Sequence, residues 1–121
     1  MFINFTNHPS SGWSEEQLKA AEVYGDIIDI DFPAVQADAD SISISSLADR
    51  YCRLISAASP SAVLVQGEMS LAFAVVSRLK AAGIAALCAC SKRDCVTSIA
   101  DDGSVVRSSI FRFVRFRDYS V

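Results

Sequence analysis

The feature that most constrains this chain is a rhythm. Over the first ninety residues, short apolar runs of strand length alternate with stretches whose apolar residues recur at helical spacing. Met1 to Phe5 is an apolar opening run, and the turn formers Thr6 to Trp13 (TNHPSSGW) follow it as a loop. Ser14 and Gln17 have the spacing of a capping box, so a helix is predicted to begin at Ser14, with Leu18, Ala21 and Val23 as its inner stripe and Gly25 as its stop. Asp26 to Phe32 reads as a second strand closed by Pro33, and the small, polar stretch Ala34 to Ser45 as a connection. A second helix is expected from about Ser46, carrying Leu47, Tyr51, Leu54 and Ile55 and ending before Pro60. Ala62 to Val65 is a third strand, Ser70 to Ala82 a third helix stopped by Gly83, and Ile84 to Cys90 a fourth strand. Such alternation implies right-handed crossovers and a parallel sheet.

Beyond residue 90 the rhythm changes. Asp94 to Ile99 and Val105 to Ser109, either side of Asp101, Asp102 and Gly103, have the pattern of a hairpin, and Ile110 to Arg117 that of a last strand. The expected fold class is therefore α/β: a Rossmann-like, mainly parallel sheet flanked by helices, with a C-terminal antiparallel extension. At 121 residues with 51% hydrophobic content, the chain suits a single Rossmann-like domain over residues 1–121 with one continuous core. No run reaches the roughly 18 to 20 apolar residues that cross a bilayer, and Thr6, Asn7 and His8 interrupt the first apolar run too early for a signal peptide. A cytoplasmic location without membrane contact is the corresponding expectation.

Charge is distributed unevenly. Residues 1–50 hold nine acids against two bases and residues 51–121 nine bases against five acids, within a net charge of -3. Lys92, Arg93, Arg107, Arg112, Arg115 and Arg117 crowd the last thirty residues, which argues for a local anion site rather than a surface for duplex DNA. The alternative is a solvated basic edge. Cys52, Cys88, Cys90 and Cys95 lack C-x-x-C spacing and the only histidine is distant, so no metal site is expected; Cys88 and Cys90 should share one face of a strand.

In a parallel α/β sheet a ligand sits beyond the carboxyl ends of the strands. Three segments are expected to share that edge. The first loop brings Asn7, His8, Ser10 and Ser11, hydrogen-bonding groups that run into a helix N-terminus. His8, the sole imidazole, is a candidate acid or base, and equally an idle loop residue. Gln66, Gly67 and Glu68 follow the third strand; Gly67 would let a ligand approach the backbone, and Glu68 would contact it or simply cap a helix. They form neither a phosphate-loop nor a dinucleotide fingerprint. Ser91, Lys92 and Arg93 offer two cations and a hydroxyl to a phosphodiester. Of the last strand's arginines, strict alternation puts Arg112 out of phase with Arg115 and Arg117, so at most two enter one site.

Taken together, Asn-His-Pro-Ser…Trp-Ser-x-x-Gln, Val-x-x-Gln-Gly-Glu, Ser-Lys-Arg and Phe-x-Phe-Val-Arg-Phe-Arg-x-Tyr resemble the small, stand-alone CRISPR-associated proteins of the Csx type that are linked to ring nuclease activity. The resemblance implies a CARF-like Rossmann core in a homodimer that binds a cyclic oligoadenylate, foremost cyclic tetraadenylate, across its two-fold axis. It implies cleavage without metal or other cofactor, the ribose 2′-hydroxyl attacking the adjacent phosphate, to switch off a type III CRISPR response. On this reading Asn7, Ser10, Gln66, Gly67, Ser91, Arg93, Arg115 and Arg117 hold the ligand, and the catalytic role lies among His8, Ser11, Glu68 and Lys92. The presence of Cys90 and Cys95 around Ser-Lys-Arg departs from the pattern. Two other classes stay open: a non-catalytic sensor or sponge for the same nucleotide, and a dimeric structural or regulatory domain whose interface is the aromatic tail.

Overall fold

The computed structural model describes residues 1–120. Its elements run β1 (Phe2–Thr6), α1 (Glu15–Glu22), β2 (Ile27–Asp31), α2 (Ser41–Ala57), β3 (Ala62–Val65), α3 (Met69–Ala81), β4 (Ala86–Ile99) and β5 (Val105–Asp118), with a 3-10 turn at Ser10–Gly12. The five strands form one sheet in the order β2-β1-β3-β4-β5, parallel except for the antiparallel pair β4–β5. The α/β class, the mainly parallel sheet and the antiparallel extension are as the sequence indicates. β1 has β2 on one side and β3 on the other, so with right-handed crossovers α1 covers one face of the sheet and α2 and α3 the other.

Period-two alternation divides the core accordingly. Phe2, Leu64 and Leu87 point to the α1 face, packing with Ala21 and the half-buried Trp13 and Phe116. Ile3, Phe5, Val63, Val65 and Ala86 point to the other face, against Ala48, Cys52 and Ile55 of α2 and Leu71, Val75 and Leu79 of α3. Ser14 caps α1, its hydroxyl accepting from the Gln17 N–H at 3.3 Å. Val23 lies outside the α1 stripe, 82% exposed on the residue that ends the helix. Gly25 holds φ +115, and a Cβ there would stand 2.7 Å from the Met1 nitrogen; the turn into β2 therefore needs glycine.

Two expected boundaries are corrected. α2 starts at Ser41, five residues before the expected Ser46, because the Asp40 carboxylate accepts from the Ser43 N–H at 2.8 Å and Ile44 packs on the core. Serines alone suggest a loop, and the cap and core contact override that weak preference. The larger correction concerns residues 84–117. In place of a fourth strand ending at Cys90, a connecting segment Ser91 to Arg93, a hairpin and a last strand, β4 runs unbroken from Ala86 to Ile99 and pairs with β5 from Leu87 onward. One irregularity interrupts the ladder: Cys90 faces Arg115 and Ser91 faces Phe113, leaving Val114 as an extra, bulged residue. The outer parts of both strands project as a two-stranded arm with exposed residues on both faces.

Candidate functional site

β1 ends in a polar knot that the alternation creates. Asn4 and Thr6 share the α1 face with Phe2, are 1% and 4% exposed, and need partners there. The Thr6 hydroxyl donates to Asn4 Oδ1 at 2.8 Å, and Asn4 Nδ2 donates to the His8 carbonyl and to Asp29 Oδ1, each at 2.9 Å. Asp29, from β2, accepts in turn from the Ser10 hydroxyl at 3.1 Å, and Trp13 Nε1 donates to the same His8 carbonyl at 3.1 Å. This network fixes the path of Thr6 to Trp13 over the carboxyl end of β1. Among the described residues no buried side-chain polar atom lacks a partner.

Above the knot lies a cavity of about 520 Å³ on the α1 face, at the carboxyl ends of β1 and β3 and against the middle of β4. Thr6 and His8 form its floor, Trp13, Ser14 and Gln17 one wall, Gln66 and Ser91 another, and Phe111 to Phe113 of the arm the outer rim. β1 lies at the point where the strand order reverses, the place where open α/β sheets hold ligands. Its volume falls within the roughly 300–1,000 Å³ of small-molecule sites. The arrangement can offer hydrogen bonds from Ser14, Gln17, Gln66 and Ser91, aromatic faces from Trp13 and Phe113, and an imidazole. Among the described residues the hydrogen bonds at His8 run through its backbone, so the imidazole is held by chain path rather than by an orienting partner.

Of the residues singled out from sequence, His8, Gln66 and Ser91 meet in this cavity. Asn7, Ser10 and Ser11 are outside its lining: Asn7 and Ser11 are exposed, and Ser10 is tied to Asp29. Glu68 caps α3, accepting from the Ser70 hydroxyl at 2.7 Å and the Leu71 N–H at 2.8 Å, and these donors, the Ser70 hydroxyl foremost, hold its carboxyl below the usual range. Gly67 is explained by the Phe32 ring, which a Cβ would meet at 2.5 Å.

The cations other than Arg112, which stands at the cavity rim, go elsewhere. Arg93 is on the cavity face but out along the arm, its Nε donating to the Ser109 hydroxyl at 3.1 Å. Lys92 is on the opposite face, and so are Arg115 and Arg117, because cross-strand partners share a face and these pair with Cys90 and Cys88. Arg112 pairs with Lys92. The bulge at Val114 thus restores its phase, and all three arginines, expected to be split, project from one face. The same shift gathers Phe111, Phe113 and Phe116 on the cavity face, with the Phe113 and Phe116 rings 4.9 Å apart.

Sequence reading missed Asn4, Thr6, Asp29, Trp13 and Phe113 as site builders. A signal existed for two of them: Asn4 and Thr6, the third and fifth residues of FINFT, polar and in phase with one another inside an otherwise apolar strand. The described residues bring no three His, Cys, Asp or Glu side chains into one potential metal-binding group, and no helix among them is long and apolar enough to cross a membrane.

A smaller cavity of about 380 Å³ lies on the other face at the same sheet end, lined by Gln66, Gly67, Met69, Phe73, Val76 and Tyr119 among others. Tyr119 donates to the Val65 carbonyl at 2.7 Å, and burial pushes its phenol up. Residues 1–117 match the sequence model of the Uncharacterized protein MJ1673 family. No curated protein matches the chain.

Proposed function

We propose that this chain, which belongs to the uncharacterized MJ1673 family, binds a cyclic oligoadenylate in the 520 Å³ cavity and cleaves it. The observation that carries the reading is that cavity itself, with hydroxyl, carboxamide, imidazole and aromatic groups around it at the switch point of the sheet. Trp13 and Phe113 suit adenine faces, and Ser14, Gln17, Gln66 and Ser91 suit ribose and phosphate oxygens. A ring of several nucleotides exceeds one such cavity, so the reading includes a homodimer with the ligand across its two-fold axis. Cytoplasmic location and a role in ending a type III CRISPR response belong to the same proposal.

In the proposed reaction the 2′-oxygen of one ribose attacks the adjacent phosphorus and the 5′-oxygen leaves with a proton, giving a 2′,3′-cyclic phosphate and a 5′-hydroxyl. An imidazole can accept the first proton or deliver the second, and His8 supplies one at the cavity. Alignment of the 2′-hydroxyl with the departing oxygen supplies the rest.

The test is turnover of labelled cyclic tetraadenylate in excess over protein, resolved by chromatography. Linear products ending in a cyclic phosphate are expected, with His8→Ala lowering the rate by about 10²- to 10⁴-fold while binding persists. A second reading, a binding-only sensor or sponge, is favoured by the unsupported imidazole of His8. It predicts that the ring is recovered intact from a bound complex. Absence of any thermal shift with the ring overturns both.

A further inference from the structure

The arm's face away from the main cavity is unusual in its charge. Arg112 stands directly opposite Lys92, and Arg115 and Arg117 follow on the same face, opposite Cys90 and Cys88. Like charges paired across strands destabilise a ladder. The compensation is slight: Asp94 meets Arg112 at 3.5 Å, while the nearby Asp118 is engaged by Lys80 at 3.0 Å. The row is not an accident of alternation, because the sequence in regular register would send Arg112 to the other face; the Val114 bulge brings it back.

The row ends at an apolar cavity. Tyr119, two residues beyond Arg117 and packed on the same face, lines the 380 Å³ cavity with Phe73, Met69 and Val76. Phe73 and Met69 are 75% and 85% exposed one helical turn apart on α3. Crowded guanidinium groups leading to exposed aromatic and thioether surface match one kind of polyanion. They suit a chain of phosphodiesters that carries a flat base at its end. An acidic peptide would satisfy the cations but would bring nothing for Phe73, Met69 and Tyr119 to stack on.

We infer that the face formed by Lys92, Arg112, Arg115 and Arg117 binds a short single-stranded oligoribonucleotide, with a terminal base in the Phe73–Tyr119 cavity. Residues two apart on a strand are about 6.8 Å apart, so the row spans only a few nucleotides. Of its cations only Arg112 also lines the cavity assigned to the cyclic ligand; Lys92, Arg115 and Arg117 do not.

Fluorescence anisotropy of labelled linear tetra-adenylate, titrated with the full-length protein at several salt concentrations, tests it. Three phosphate contacts predict a slope of about -2 in log affinity against log salt. Arg115→Glu with Arg117→Glu should weaken binding by about tenfold or more and cut that slope by more than half. Phe73→Ala should weaken binding and leave the slope alone. Arg50→Glu with Arg107→Glu makes the same change in net charge away from this face and should retain wild-type affinity, with melting curves checking that all variants fold. Wild-type binding by the Arg115/Arg117 variant overturns the inference, as does equal displacement of the probe by hexaglutamate, which would mark an acidic-peptide surface. Loss of binding in the Arg50/Arg107 variant would show diffuse charge attraction and overturn it too. His8→Ala should bind the linear probe normally, so failure here is distinguishable from failure of the ring-cleavage reading.

Discussion

Gly67 shows how a residue selected for one reason is explained by another. Its position after β3 suggested close approach of a ligand, yet the atom it makes room for is on the Phe32 ring, itself 4% exposed and stacked on Phe5 with centroids 4.8 Å apart. Gly67→Ala should therefore destabilise the fold by about 1–3 kcal/mol, because a buried ring has nowhere to move. Chemical denaturation reads this directly, and an unchanged midpoint would mean the ring relocates freely. That His8 and Gln66 are neighbours was legible, because each follows the end of a parallel strand; Ser91 joins them from inside β4 rather than from the loop expected there. Asn4 and Thr6 were harder to see: a strand's polar residues gain meaning only once burial is known, and burial depends on which helix covers which face.

At the scale of elements, caps and strands were read with unequal success, for physical reasons. β3 falls on Ala62–Val65 as expected, since a buried apolar run between turn formers has few alternatives. The start of α2 was obscured by Ser41, Ser43 and Ser45, which compete for backbone hydrogen bonds until Asp40 caps the turn. The length of β4 was hidden by Ser91-Lys92-Arg93, polar residues that a two-stranded arm exposed on both faces accommodates. The bulge has no local signature at all, and with it went the expected division of the arginines. At α3, Glu68 is ionised more readily when folded, because Ser70 and Leu71 donate to the carboxylate. A lowered acid contributes stability above its unfolded value near 4.5 and loses it as pH falls through the lower folded value. Glu68→Gln should accordingly be less stable than wild type at neutral pH, and the gap should close in acid; parallel melting curves down to pH 3 would contradict the cap.

The molecule as a whole consists of a sheet packed on both faces and an arm packed on neither. Core strands β1 and β3 are wholly buried, whereas the outer arm has Val96, Ile99, Val105, Val106 and Ile110 exposed and only two strands. Two-stranded ribbons are marginal in water. Amide exchange should be fastest in residues 92–112 and slowest in β1 and β3, by local opening of the arm without global unfolding. Uniform protection across the sheet would show that something else holds the arm. Gln66 deserves its place at the junction of these parts: its carboxamide oxygen accepts from the Ala89 N–H at 3.2 Å, and the residue lines the cavities on both faces. The two chambers therefore share a lining residue. Any guest that turns that amide toward itself withdraws an acceptor from β4 and reshapes the neighbouring chamber, and by reciprocity an occupant there would be felt equally in return.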